Sequence, residues 1–281
     1  MKKCLCLSAI LLWIQSGIAS SPDQSSLVSE NSLFASEVPP IGNCKTYHND
    51  TSGIYHRICY DSVLILINNY IEAFTEDAKN NGIGGYIDSS SLVPPHHGHT
   101  GYQGWKFFDG LYSASFKDEL FLAFTYDSVS SMDSISCIIS TDAYYYHSSS
   151  PVVYPDSAIS TEGVSGFLSH MIKPQEPMNS YIKGGQLNNS CSKFSDHFQM
   201  GGSPTNVDYC GFFLGAEIEQ LISQPGCAGV RYFYGYDGDR KNDKIRIILI
   251  GVNESGENIL VDPNDTSKEA LFLENAWPPA D

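Results

Sequence analysis

The segment from residue 210 to residue 260 constrains the fold most, because its helix, turn and strand signals follow one another without a break. Three apolar residues at helical spacing, Ile218, Leu221 and Ile222, predict a short helix that Pro225 and Gly226 end. Alternating apolar residues then predict antiparallel strands on both sides of a polar turn. The predicted strands are 229–235, 244–252 and a short third one at 258–261. One face of this β-meander is apolar, and the preceding helix is its nearest cover.

An earlier segment, 101–141, aligns with 211–251 without a gap, and the two share their apolar pattern. The aspartates that flank the turn also match, with the same turn length: Asp127 and Asp133 correspond to Asp237 and Asp243. Phe108, Leu111 and Tyr112 correspond to the apolar residues of the later helix. We interpret the match as an internal duplication, the alternative being that any two helix–hairpin units would align this well.

The duplication predicts an α+β fold of two tandem related units, each a small antiparallel β-meander packed against helices. Helical spacing predicts one further helix ahead of each copy, at 62–80 and at 162–173. The polar stretch 175–208 is predicted to be mostly loop. The predicted organisation is a signal peptide at 1–19, a flexible leader at 20–43, a first unit at 44–142, a Ser- and Tyr-rich link at 143–160 and a second unit at 161–281.

The first 19 residues have the three parts of a secretory signal. Lys2 and Lys3 precede an apolar run at 4–14, and Gly17 and Ala19 are the small residues of a cleavage site. An uncleaved membrane anchor is the alternative, but the run is shorter than a membrane span. No later stretch reaches that length either, so the sequence predicts an exported protein, periplasmic, on the cell surface or secreted, without an integral span after cleavage.

The chain is acidic, and this excludes several kinds of partner. Its formal net charge is −16, with 16 Lys and Arg against 32 Asp and Glu, and removal of the signal makes it more negative still. Nucleic acids and anionic lipids attract positively charged surfaces, so neither is an expected partner.

Six of the eight cysteines follow the signal, and an even number in an exported chain is typical of disulfides. The spacing makes Cys44 with Cys59 and Cys191 with Cys210 plausible local pairs. Cys137 lies between Ile135 and Ile139 on a predicted buried strand face, so we expect it to be a free core residue. Sequence does not choose among the fifteen possible pairings of six cysteines.

The later copy resembles a family of bacterial proteins of uncharacterised activity over about residues 211–261. Those proteins share a helix–hairpin segment similar to ILAQPGCVGIRIYYG, followed by LVLVGVD, and the match here is most specific at 224–227, Gln-Pro-Gly-Cys. The resemblance implies the architecture and no catalytic residues. Many members end in Cys-Pro-Pro, whereas Trp277 precedes the two prolines here, which puts a disulfide from Cys227 to this tail in doubt.

Three histidines within four residues, His96, His97 and His99, form the best candidate metal site. Imidazole is a preferred ligand of zinc and copper, so these side chains could bind either ion if the loop folds back on itself. The alternative is a solvated loop that binds no cofactor. The acidic turn at 237–243 lacks the glycine and the terminal carboxylate of a calcium loop, and we interpret it as a hairpin turn.

No catalytic motif is recognisable in the sequence, so no catalytic residue is predicted. Tyr144, Tyr145 and Tyr146 form an aromatic cluster in the link between the two copies. Such tyrosines bind sugars or protein partners through flat apolar area plus a hydroxyl, or else cover the seam between two units.

These features favour an exported, non-enzymatic binding or cell-envelope-associated protein, with an unknown protein or glycan of the envelope or exterior as its partner. Two similar surfaces on one chain would suit a repetitive partner. The alternative is an exported metal-dependent hydrolase that uses the loop of His96, His97 and His99.

Overall fold

The computed structural model describes residues 56–93, 102–114, 117–129, 138–148, 163–169, 171, 180–198, 210–236 and 245–274. All of them belong to one compact unit within Val38–Asp281. The described helices are α1 (Tyr60–Ala73), α2 (Thr75–Asn80), α3 (Gly163–Ser169), α4 (Gly184–His197) and α5 (Gly215–Ile222), with a 3-10 turn at Ser89–Leu92. None of these helices is long and apolar enough to cross a membrane.

The described strands pair antiparallel throughout. The first seven are β1 (Arg57–Ile58), β2 (Gly84–Asp88), β3 (Tyr102–Ala114), β4 (Lys117–Val129), β5 (Tyr144–Ser148), β6 (Ser180–Lys183) and β7 (Cys210–Leu214). The last five are β8 (Cys227–Tyr236), β9 (Ile245–Asn253), β10 (Val261–Asp262), β11 (Asp265–Glu269) and β12 (Phe272–Glu274).

Two five-stranded sheets organise the fold. Sheet 1 has the strand order β1-β12-β9-β8-β2 and sheet 2 the order β6-β5-β4-β3-β7, while β10 and β11 form a separate ribbon. The helices and antiparallel sheets confirm the predicted α+β class. The predicted separation into two tandem meanders is not seen, because each sheet draws strands from both halves of the chain. Strand β2 pairs with β8 in sheet 1, and β7 pairs with β3 in sheet 2.

The predicted helix–hairpin equivalence of the two copies is wrong at its first element. Phe108, Leu111 and Tyr112 lie in strand β3, whereas Ile218 and Leu221 lie in helix α5 as predicted. The physical reason is that β3 is buried on both faces: Phe107 and Phe108, adjacent in sequence, are 0% and 1% exposed. Apolar residues on both faces of a strand mask its alternation and imitate helical spacing. Strand β4 includes 120–126, which the alignment also predicted to be a strand.

The later segment agrees with its prediction. Strands β8 and β9 pair over nine positions; β8 contains the predicted strand 229–235, and β9 covers 245–252 of the predicted strand 244–252. The predicted third strand at 258–261 is reduced to a bridge between Val252 and Asn258 and the start of β10. The predicted helix 62–80 is divided into α1 and α2 at Phe74, whose backbone leaves the helical region.

The main core lies where the two sheets and their helices meet. Its buried members come from every layer, among them Ile67 of α1, Phe107 of β3, Ile218 of α5, Tyr232 of β8 and Leu249 of β9. A smaller cluster covers the other face of sheet 2, where Phe108 and Tyr145 pack with Leu187 and Cys191 of α4. Hydrogen bonds connect the sheets: the Ser148 hydroxyl donates to the Tyr86 carbonyl at 2.8 Å, and the Tyr234 hydroxyl to the Phe121 carbonyl at 3.2 Å.

An acidic side chain is buried inside the main core. Asp109 of β3 is 2% exposed, on the strand face that also contributes Phe107. Its Oδ1 atom has no hydrogen-bond partner among the described residues. Burial therefore raises the pKa of Asp109 well above its usual range, because removal from water disfavours the charged carboxylate. Burial is also the main cause of the raised pKa values of Tyr70 and Tyr234 nearby.

We expect the substitution Asp109→Asn to stabilise the protein at neutral pH. A carboxyl group whose pKa is raised by folding gives full stability below its unfolded pKa of about 3.9, and that stability is lost as the pH rises towards the folded pKa. The amide has the same shape and no charge to lose. Urea unfolding at pH 4.5 and pH 7.5 should show that the variant gains more free energy of unfolding over the wild type at the higher pH.

The exposed carboxyl group of Glu254 provides the control for this substitution. The variant Glu254→Gln should follow the wild-type pH dependence. An Asp109→Asn variant that loses stability equally at both pH values would contradict the assignment of a neutral, buried acid.

Candidate ligand-binding cleft

A cavity of about 460 Å³ lies between sheet 2 and helix α4, and we call it the α4 cleft. This volume is within the usual range for small-molecule sites, about 300–1,000 Å³. On the sheet side its lining includes Tyr112, Glu119, Phe121, His147 and Ser180, and on the helix side Gln186, Asn189, Ser190 and Lys193. The cleft therefore has an aromatic wall on the sheet and a polar wall on the helix.

The polar wall is one face of an amphipathic helix. Gln186, Asn189, Ser190 and Lys193 follow at spacings of three, four and seven residues from the first, so they share one side of α4. The core-facing side has Leu187, Cys191 and Phe194 at the same type of spacing, and all three are buried. The cleft thus lies along the boundary where α4 passes from the apolar core to solvent.

Sequence reasoning missed this helix. The stretch 175–208 was predicted to be mostly loop, whereas α4 occupies Gly184–His197. The helix has few apolar residues, and its Asn, Ser and Gly residues have weak helix propensity. The spacing of Leu187, Cys191 and Phe194 was the available signal. Packing of Leu187 and Cys191 against sheet 2, and of Phe194 against Tyr234 of sheet 1, supplies the stability that local propensity lacks.

The aromatic wall depends on one glycine. Gly110 of β3 lies opposite Phe121 of β4, and a Cβ atom at Gly110 would come within 2.3 Å of the Phe121 ring. Because glycine has no Cβ atom, the Phe121 ring of β4 can lie over β3 at this position. Tyr112, two residues further on the same face of β3, is 56% exposed and has Glu119 directly opposite. The sheet therefore presents the buried Phe121 ring and two exposed rings, Tyr112 and Tyr181, to the cleft.

His147 lies beside these rings and forms a hydrogen bond at the edge of the sheet. Its ring packs edge-on against Phe121 with centroids 4.4 Å apart, and its Nδ1 atom lies 2.9 Å from the Ser180 hydroxyl oxygen. Burial lowers the pKa of His147 to about 4, because the imidazolium form loses hydration. The imidazole is therefore neutral at physiological pH.

The pairing of Ser180 with His147 has the form of a nucleophile and a base, but its electrostatics favour binding over catalysis. An effective general base has a pKa near the working pH, and a group with a pKa of about 4 removes a proton poorly at pH 7. A neutral imidazole and a hydroxyl group can instead both donate and accept hydrogen bonds. The arrangement is suited to holding a polar ligand.

The formal charges in the cleft balance. Glu119 contributes a negative charge from the sheet and Lys193 a positive charge from the helix, and the other lining residues are neutral at physiological pH. The cleft thus differs from the chain as a whole, whose net charge is −16. This balance gives no preference for a strongly charged ligand.

The predicted tyrosine site is divided between the two faces of β5. Tyr145 is buried against Phe108, and its hydroxyl accepts a hydrogen bond from the Ser140 backbone N–H at 2.9 Å. Tyr144 and Tyr146 point to the opposite face, where Tyr146 stacks on Phe124 at 5.3 Å and packs on Tyr181 at 5.0 Å. None of Tyr144, Tyr145 and Tyr146 lines the α4 cleft, although His147, the next residue, does.

The predicted metal site, His96, His97 and His99, lies outside the described residues. Within the described ranges, no group of three or more His, Cys, Asp or Glu side chains is arranged to hold a metal ion. Two histidine–carboxylate pairs occur among the described residues: His197 Nε2 lies 2.7 Å from Asp77 Oδ1, and His56 Nδ1 lies 2.7 Å from Glu217 Oε2. Glu217 also accepts hydrogen bonds from the backbone N–H groups of His56 and Leu214, so this buried pair fixes the start of α5.

The described cysteines correct one predicted disulfide. Cys191 is a free, buried thiol, so the predicted pair of Cys191 with Cys210 is not formed. The side chain instead packs in the apolar cluster between α4 and sheet 2, where burial raises its pKa. Cys227 is also free, while Cys59 and Cys210 are not among the free cysteines. Cys44 and Cys137 lie outside the described residues, and the pair of Cys44 with Cys59 stays a prediction.

Comparison with known proteins found no matching family model, no matching curated protein and no matching solved structure. The resemblance of residues 211–261 to a family of bacterial proteins therefore stays a prediction.

We expect alkylation followed by peptide mass spectrometry to separate the cysteines into two groups. In denaturant without reductant, Cys191 and Cys227 should be labelled, because both are free thiols. In the native protein Cys191 should not react, because it is buried and its pKa is raised, so little of the reactive thiolate exists.

Cys59 and Cys210 should be labelled only after reduction. Their labelling in denaturant without reductant would contradict this expectation. The variant Cys191→Ala provides the control, since it should remove one labelled peptide and leave the other labelled peptide unchanged.

Proposed function

We propose that this chain is an exported, non-enzymatic binding protein that holds a small polar ligand in the α4 cleft. The observation that supports this most is the pairing of two unlike walls, an aromatic face of sheet 2 and a polar face of α4, around one cavity. Ligand sites in proteins commonly combine apolar area with a few convergent polar groups that fix orientation. The pKa of His147, about 4, supports binding over general-base catalysis at the same place.

Export is the second part of the proposal and rests on the amino-terminal sequence. Lys2 and Lys3, the apolar run and the small residues Gly17 and Ala19 form the pattern of a secretory signal. Disulfides in this protein would be consistent with export, because they form and persist in oxidising compartments outside the cytosol. The protein would then meet its ligand, a glycan component or another small molecule, in the periplasm, at the cell surface or outside the cell.

We expect ligand retention to depend on the polar face of α4. The purified protein should retain a component from the low-molecular-mass fraction of the producing organism's medium, detected by native mass spectrometry. The substitution Asn189→Ala removes an amide from the cleft wall and should weaken retention by about three- to tenfold, the value of one net hydrogen bond.

A matched control lies one residue away on the same helix. Asn188 is exposed and does not line the cleft, so Asn188→Ala should leave retention unchanged. Equal effects of the two substitutions would argue against the α4 cleft as the site. Retention of no small molecule by the wild-type protein would overturn the proposed function.

The metal-dependent hydrolase is the competing proposal, and metal analysis decides between the two. If His96, His97 and His99 bind zinc or copper, the purified protein should contain the ion in a one-to-one ratio, and the triple variant with alanine at these positions should lose it. We expect no stoichiometric metal and unchanged thermal stability of the triple variant. Bound metal that disappears in the variant would favour the hydrolase.

A further inference from the structure

The chemistry of the α4 cleft is specific enough to name a class of ligand, and this inference rests on the proposed function. Two exposed rings line the cleft from the sheet, Tyr181 at 64% and Tyr112 at 56%. Tyr112 lies on β3, opposite Glu119 of β4. It stands on the same face of β3 as Gly110, so the wall beside it is formed by the Phe121 ring. The result is apolar area next to a phenol hydroxyl, which suits a ligand with a flat apolar face and a polar rim.

The hydrogen-bonding groups around this platform both donate and accept. Gln186 and Asn189 offer an amide oxygen and an amide NH₂ each, while Ser180 and Ser190 offer hydroxyl groups. A ligand whose own groups also donate and accept, as hydroxyl groups do, can satisfy all of them at once. A ligand with only acceptor atoms, such as a phosphate, would leave half of this capacity unused.

The charges select against ionic ligands. Phosphate and carboxylate sites in proteins have arginine or a surplus of cations, whereas Glu119 and Lys193 balance here. His147 adds no positive charge at neutral pH, because burial lowers its pKa to about 4. Its Nδ1 atom is within hydrogen-bond distance of Ser180, so the two act as one polar unit at the edge of the cleft.

We propose that the α4 cleft binds an uncharged saccharide of one or two sugar units. One face of a sugar ring would pack on Tyr112, whose apolar face matches the C–H-rich side of the ring. The ring hydroxyl groups would exchange hydrogen bonds with Gln186 and Asn189 on α4 and with the pair of His147 and Ser180 on the sheet. This ligand class uses both walls of the cleft and needs no net charge.

The test uses the full mature protein and a defined set of neutral sugars. The probes are D-glucose, D-galactose, D-mannose, N-acetyl-D-glucosamine, cellobiose, lactose and chitobiose, with binding measured by isothermal titration calorimetry and saturation-transfer NMR. We expect saturable binding of at least one probe. The substitution Tyr112→Ala should weaken it at least tenfold, whereas Tyr112→Phe should retain most of the affinity because the ring remains.

Tyr144 supplies the matched control for the aromatic platform. It is 66% exposed on sheet 2 and lies outside the cleft, so Tyr144→Ala should bind the same sugar with unchanged affinity. Circular dichroism and thermal unfolding of each variant separate loss of binding from loss of fold. The affinity should stay constant from pH 8 to pH 5 and fall near pH 4, where His147 becomes charged.

The outcomes separate this inference from the proposed function. If the cleft retains a phosphate, an amino acid or another ionic molecule and none of the sugars, the saccharide assignment is overturned while the proposed function stands. If no small molecule of any class is retained, both fail. Sugar binding that Tyr112→Ala and Tyr144→Ala weaken equally would also overturn the assignment to this cleft.

Discussion

The structure depends on burial of both faces of the β3–β4 hairpin. The two strands pair over 13 positions at the centre of sheet 2. One face, with Trp105 and Phe107, belongs to the main core shared with sheet 1, while the other, with Phe108, packs against α4. Because one hairpin contributes to both apolar layers, the position of α4 and hence the α4 cleft are tied to the register of these strands.

Buried polar groups show how the surrounding loops are fixed. Arg231 of β8 is fully buried, and its guanidinium donates to the Asn258 side chain and, at 3.0 Å, to the Gly256 carbonyl. The Asn258 amide in turn donates to the Leu168 carbonyl at 2.8 Å, which connects the turn after β9 to α3. Burial lowers the pKa of Arg231 to about 10, still above physiological pH, so the arginine holds the turn as a cation.

The sequence predicted helix α5 and strands β8 and β9 with boundaries that agree within two residues. Both strands are buried on both faces, but they are rich in β-branched and aromatic residues and are separated by a polar turn, and these are strand signals. Strand β3 was assigned the wrong type, because Phe107, Phe108 and Leu111 satisfy both periods when both faces are buried. In such a strand, pairing with the neighbouring strands β4 and β7 determines the secondary structure. The local sequence of β3 carries no information about these partners.

The candidate site was harder to predict than the fold. Gln186, Asn189 and Lys193 become a wall only because α4 packs on sheet 2, and they lie far in sequence from Tyr112 and Glu119. Tyr144, Tyr145 and Tyr146 are contiguous in sequence, yet they alternate between opposite sheet faces. Consecutive residues of a strand point to opposite faces of the sheet, whereas a binding site consists of residues that share one face.

The exchange of strands between the two halves affects how this polypeptide can reach its folded state. Strand β2 finds its partner β8 only after more than 140 further residues have been made, and β1 pairs with β12 at the far end of the described chain. Sheet 1 therefore has no nucleus in the first half of the molecule, and its closure waits for the last strand. Such long loops slow folding. Sheet 1 would therefore stay incomplete until the last strand has been synthesised, whereas the β3–β4 hairpin of sheet 2 can form as soon as residue 129 has been made.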